Sequence, residues 1–171
     1  MSAHDPYLPY SPLPPDLEKL KSYLISSVLR VMEAQPPPTA EHQQMVERWL
    51  EGAYTRTRLQ LPEDLRRQVL RQASAELVGY GPIQPLLDDP EISEVMIDGP
   101  NQVYIERNGE LCDTGIVFQS EEHLYRIIDR ILHPLGRRVD ADHPTSDGRL
   151  PDGSRVNVVI PPVAIQGPCL T

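Results

Sequence analysis

The sequence is short of aromatic residues, of cysteine and of positive charge, and each shortage closes off a class of protein. One Phe and one Trp among 171 residues leave the hydrophobic core to Leu, Ile and Val. The two cysteines, Cys112 and Cys169, lie far apart without metal-ligand spacing. That excludes a disulfide framework and reads as two reduced thiols. Lys+Arg number 16 against 25 Asp+Glu, a formal net charge of -9. A broad basic face for nucleic acid or anionic membrane is thereby excluded, although one local basic site is not. No apolar run approaches the ~20 residues of a membrane span. The N-terminal "MSAHDPYLPYSPLPPD" has neither the basic n-region nor the apolar h-region of a secretory signal. The expectation is a soluble, cytoplasmic protein with no nucleic-acid partner.

Proline, by contrast, is abundant at 19 residues, and most of it punctuates rather than interrupts. Residues 1–14, rich in Pro and Tyr, read as a disordered or extended lead-in. Three helical stripes follow over 15–77. Leu17, Leu20, Leu24, Val28 and Val31 repeat at helical spacing, with Asp16 near the start and "QPPP" as a stop. Thr39 is placed to cap a second helix striped by Met45, Val46, Trp49, Leu50 and Ala53. Pro62, Glu63 and Asp64 suit the first turn of a third, striped by Leu65, Val69, Leu70, Ala73 and Leu77. Short connections between three such helices predict a small antiparallel bundle.

The pattern changes at Gly79, Gly81, Pro82 and Pro85, and 78–171 reads as a second domain. "IQPLLDD" suggests one or two helical turns. Strand-like runs follow at "SEVMID", "QVYIER" and "ELCDTGIVF", the last two divided by Asn108-Gly109, the strongest short hairpin signal. Ser120 is placed to cap a helix with Leu124, Ile127, Ile128, Ile131 and Leu132 on one face, ended by His133-Pro134. A polar loop over 136–147 leads to a final hairpin centred on Pro151-Asp152-Gly153. Strands, helix, strands in that order predict an α+β domain with an antiparallel sheet and a packed helix.

The hairpin "SDGRLPDGSRVNVVIPP" carries two arginines in an acidic chain. Val156, Val158 and Ile160 alternate and mark a core face. A three-residue Pro-Asp-Gly loop puts Leu150 on that face and sets Arg149 directly against Arg155 on the other. A two-residue loop would take Leu150 off the core, so the three-residue register is expected. Asn157 follows on the arginine face, opposed by Asp147. Like charges so opposed cost roughly 0.2–1 kcal/mol. Two readings follow. Either Asp147, Asp152 or another carboxylate neutralises the arginines, or the pair grips an anion, phosphate above all, through its bidentate forks.

Other constellations carry less. Asp140, Asp142, His143 and Asp147 crowd one loop, but Pro144 and Pro151 fall where an EF-hand needs ligands, and a polar surface loop is expected. His123, His133 and His143 have no ligand spacing, so no metal site is expected. No nucleophile elbow and no G-x-x-x-x-G-K-[ST] phosphate loop occurs in the chain.

The series "GYGPIQPLLDDPEISEVMIDGPNQVYIERNGEL", "FQSEEHLYRIIDRILHPLGRRVD" and "DGRLPDGSRVNVVIPPVAIQGPCLT" resembles the N-terminal domain of type II/type IV secretion and pilus-assembly ATPases, with the CpaF-like ATPases of tight-adherence pili as the nearest branch. The resemblance runs over about 77–171. It implies a PAS-like domain preceded by the helical extension of that branch. In the family a RecA-like ATPase domain follows, a hexameric ring forms, and ATP with Mg binds in the cleft between the two domains. On this resemblance Arg149 and Arg155, with Arg137 and Arg138 behind them, correspond to arginines that reach the nucleotide phosphates, with Asn157 and Asp147 in support. The implied partners are the chain's own C-terminal ATPase domain, hexamer neighbours and an inner-membrane platform protein, with the assembly peripheral to the inner membrane. Because the phosphate loop and acidic metal box are missing, the resemblance also implies a truncated form without ATPase activity of its own. The reading from another class is a stand-alone PAS-like module that binds a protein or a small ligand and has no nucleotide role.

Overall fold

The computed structural model describes residues 13–34, 41–150 and 152–171. Within them are five α-helices and six strands, in two compact units that divide between Gly81 and Pro82.

The first unit is helical: α1 (Pro15–Ala34), α2 (His42–Thr57) and α3 (Glu63–Val78). Their stripes meet in one cluster of Leu20, Leu24, Val28, Val46, Leu50 and Val69, all buried. Trp49, Leu70 and Leu77 pack partly buried against it. Asp16 lies in the first turn of α1, and Glu63 and Asp64 in that of α3, where carboxylates favour the positive helix end. Glu41 rather than Thr39 is the residue flanking the start of α2, and Thr39 lies outside the described residues. Lys21 is buried on α1 with its ammonium 2.8 Å from Glu18.

The second unit is α+β, with a six-stranded antiparallel sheet in the order β3-β2-β1-β6-β5-β4. A single helical turn, α4 (Gln84–Leu87), precedes β1 (Ile92–Asp98) and β2 (Val103–Arg107). Asn108 and Gly109 both take positive φ, the two-residue turn that Asn-Gly announces, and lead into β3 (Glu110–Asp113). The expected third strand ran on to Phe118, but the strand stops at Asp113. Thr114 turns its hydroxyl onto the Val103 carbonyl at 2.8 Å, and Gly115 takes φ +66°. The chain thus leaves the sheet edge and tucks Ile116 and Phe118 into the core instead.

Helix α5 (Glu121–Leu132) begins at Ser120, whose Oγ accepts from the His123 N–H at 3.2 Å. Its apolar face of Leu124, Ile127, Ile128, Ile131 and Leu132 is fully buried. Each such side chain stabilises the fold by about 1.5–3 kcal/mol relative to exposure. A 3-10 turn over His133–Leu135 extends the helix to Gly136, which is left-handed at φ +67°. Strands β4 (Thr145–Arg149) and β5 (Arg155–Val159) form the last hairpin. Strand β6 (Cys169–Leu170) is two residues long and was not expected from the sequence. It joins the two hairpins into one sheet, pairing with β1 through Ile97 and Asp98 and with β5 through Val158 and Val159.

Candidate functional site

The β4–β5 hairpin has the three-residue register. Arg149 faces Arg155, Gly148 faces Val156, Asp147 faces Asn157 and Ser146 faces Val158. Leu150 N–H donates to the Ser154 carbonyl at 2.9 Å, and Gly153, at φ +94°, donates to Leu150 at 2.9 Å. Pro151 of the expected loop lies outside the described residues. Leu150, Val156, Val158 and Ile160 are buried, so Arg149, Arg155 and Asn157 are turned outward and exposed.

The carboxylates named as neutralisers are engaged elsewhere. Asp147 accepts from Arg137 Nη1 at 3.0 Å. Asp152 accepts the backbone N–H of Ser154 at 2.9 Å, which tightens the turn. Among the described residues, neither Arg149 nor Arg155 has a carboxylate partner. Gly148 and Val156 occupy a hydrogen-bonded position, so the arginines sit at the close, non-hydrogen-bonded position, where Cα atoms are ~4.5 Å apart. Two unneutralised guanidinium groups thus share one small patch of sheet.

Of the other candidates, Arg137 is brought alongside by its bond to Asp147, whereas Arg138 is not. Its Nε lies 3.3 Å from Asp140 Oδ2, and its side chain is 80% exposed. Asp140 organises its own loop. It accepts from the backbone N–H groups of His143 at 2.9 Å and Asp142 at 3.1 Å. The His143 backbone bond foremost, with the His143 side chain, the Asp142 N–H and Arg138 adding, holds the Asp140 carboxyl below its usual range.

One feature of this face was missed from the sequence. Glu94 on β1 is directly opposite Glu106 on β2, with Ser93 Oγ donating to Glu106 at 2.7 Å. The signal for it lay in the Asp98-Gly99-Pro100 turn between "SEVMID" and "QVYIER" and in the alternation of those two runs. The acidic pair lies on the same outward face as the arginines, across the sheet centre. Nearby, Arg107 of β2 pairs with Asp89 of the turn before β1, both largely buried.

No described helix is long and apolar enough to cross a membrane. A conjugal-transfer protein of Mycobacterium tuberculosis is 33% identical over 108 residues, covering 60% of this chain and 31% of its own length. The type IV secretion system protein VirB11 of Brucella suis is 29% identical over 86 residues, covering 50% of this chain and 24% of its own. The crystal structure of the VirB11 ATPase from the Brucella suis type IV secretion system, in complex with sulphate, overlaps 52% of this chain and 28% of that one at 26% identity and a TM-score of 0.43. The chain therefore spans about a third or less of the length of these two relatives. Residues 76–167, more than half of the sequence and nearly all of the sheet unit, match the family described as type II/IV secretion system protein, and the chain belongs to that family.

Proposed function

We propose that this chain is the N-terminal region of a hexameric secretion or pilus-assembly ATPase of the CpaF type. In this reading the helical unit and a PAS-like sheet unit couple ATP turnover to a membrane platform. Arg149 and Arg155 reach the phosphates of an ATP–Mg complex held chiefly by an adjoining C-terminal RecA-like domain, with Arg137, Asn157 and Asp147 around them and Arg138 further off. The assembly is cytoplasmic and peripheral to the inner membrane. Its partners are that ATPase domain, the ring neighbours and a platform protein.

The observation that carries this reading is the exposed, directly opposed arginine pair without a carboxylate partner among the described residues. Such a pair is slightly unfavourable alone and becomes favourable when an anion sits between the forks. Guanidinium–phosphate bonds are charge-assisted and roughly twice as strong as neutral ones. An arginine that meets charge developing on a transferred phosphoryl group accelerates the reaction by up to ~10³–10⁵. The test is an ATPase assay of the longer, ring-forming protein with Arg149→Ala and Arg155→Ala together. Turnover falls at least about tenfold while the Tm of the sheet unit holds. Wild-type turnover in the double variant refutes the reading.

A further inference from the structure

Most large apolar side chains of the sheet unit are buried, but three exposed ones gather at one end of it. Val117 and Val163 are 56% and 57% exposed, and Ile165 is 93% exposed. The backbone brings them together around the turn from β1 to β2. On one side of that turn, Gly99 N–H donates to the Pro168 carbonyl at 3.0 Å, which docks the loop between β5 and β6. A Cβ added to Gly167 of that loop would stand 3.7 Å from Gly99 Cα. On the other side, Phe118 N–H donates to the Pro100 carbonyl at 2.7 Å. Ile116 and Phe118 point into the core, so Val117 between them points out.

The same end is acidic. The three stretches that build it, 98–102, 113–122 and 160–168, hold Asp98, Asp113, Glu121 and Glu122 and no Lys or Arg. All four carboxylates are exposed. Arg149 and Arg155 lie at the far end of β4 and β5, because Val159, at the near end of β5, is the residue that pairs with Cys169 beside Asp98. The sheet unit is thus polarised along its strands, with a cationic hairpin at one end and apolar tips rimmed by carboxylates at the other.

Single exposed apolar residues need no explanation, whereas a group of them inside a polar rim marks an interaction surface. Three observations select what it takes. The backbone here is closed: the N–H groups of Gly99, Phe118 and Val163 already donate to the carbonyls of Pro168, Pro100 and Ile160. Strand addition therefore finds no open edge in these loops, and recognition falls to side chains, as in the docking of an amphipathic helix. The carboxylate rim favours a cationic partner and repels an anionic bilayer surface. Two copies meeting through this end would set the same carboxylates against each other.

We propose that this end of the sheet unit docks a basic amphipathic helix of another protein, its apolar stripe on Val117, Val163 and Ile165 and its Lys or Arg residues against the surrounding carboxylates. The apolar tips supply the affinity, and the carboxylates supply the choice of partner and a faster encounter at low salt. The surface is separate from the Arg149/Arg155 pair and does not depend on its role.

The test titrates a synthetic helix of about 14 residues, with Leu at helical spacing and Lys elsewhere, into the isotope-labelled chain and follows its amide NMR signals. The signals of Val117, Val163 and Ile165 shift, and a peptide with Glu in place of every Lys leaves them unmoved. Val117→Ser with Ile165→Ser raises Kd at least about tenfold at unchanged Tm, since both side chains are exposed. Glu121→Gln with Glu122→Gln also weakens binding, by a factor that shrinks as salt rises. Absence of shifts at the three tips overturns the proposal, as does equal affinity for the Lys and Glu peptides. So does unchanged affinity in the double Ser variant, because acidity alone would then explain the binding. Shifts at the same three residues with phosphatidylglycerol vesicles, or on concentrating the chain without peptide, overturn it in favour of a membrane or a second copy. None of these outcomes involves Arg149 or Arg155, so this proposal and the phosphate reading fail separately.

Discussion

If Arg149 and Arg155 are an unneutralised pair, removing one charge leaves the fold as stable as before or slightly more so. The substitution Arg149→Gln tests this, since it removes the charge and keeps most of the stem and a polar tip. With Cα atoms at the close cross-strand position, the guanidinium centres of two exposed side chains sit roughly 7 Å apart. Their repulsion is then about 0.6 kcal/mol in water at low salt. At physiological ionic strength the Debye length of ~8 Å cuts this to about 0.2–0.3 kcal/mol. The variant therefore gains a few tenths of a kcal/mol in 10 mM salt and almost nothing in 1 M salt. Arg149→Glu, which turns repulsion into attraction, gains about twice as much at low salt. Urea denaturation of the three proteins at both salt concentrations measures it, each at an unchanged m value. A loss of about 1 kcal/mol or more in Arg149→Gln, independent of salt, would mean that the guanidinium is held by a structural partner. The case for an anion site would then fall.

Three further outcomes follow from local geometry. Ser120→Ala removes the side-chain acceptor for the His123 N–H and costs about 1 kcal/mol by urea denaturation, while Ser120→Asp restores most of it. Gly109→Ala meets nothing within 4 Å but is forced to keep φ +81°. Its cost, about 1–2 kcal/mol, is backbone strain alone, and a loss below ~0.3 kcal/mol would mean that the turn relaxes to another type. The Asp140 carboxyl is held low, so its support of the loop is present above the unfolded-state value of ~3.9 and disappears as pH falls through the lower folded value. An NMR titration accordingly shows the His143 amide signal moving below the ordinary carboxylate range, and Asp140→Asn removes that step. Movement centred at or above ~4 refutes the assignment.

Local patterns were legible where one stretch of chain contains its own explanation. The Asn108-Gly109 turn, the Ser120 cap, the five-residue face of α5 and the Arg149/Arg155 register each depend on residues within a few positions of one another. Thr114 to Phe118 misled because "TGIVF" has the composition of a strand. Only the Val103 carbonyl, eleven residues back, and the core beneath decide that it bends inward. Strand β6 was invisible for the opposite reason, since two residues carry no periodicity and gain their pairing from Ile97 and Val158 on separate hairpins.

By itself, then, the sequence determined the two-part organisation, the helical stripes and the arginine face, because hydrophobic period and turn chemistry act over neighbouring residues. The tertiary structure decided which carboxylates reach which arginines. Asp147 goes to Arg137, because the loop after α5 comes back to β4, and Asp140 is left to pair with Arg138 inside that loop. It also decided that Glu94 and Glu106 stand in the same sheet as Arg155 and Arg149, on the other side of β6. That relation exists only once β6 has drawn two distant hairpins into one sheet, and no local pattern encodes a distance set by backbone pairing across the fold.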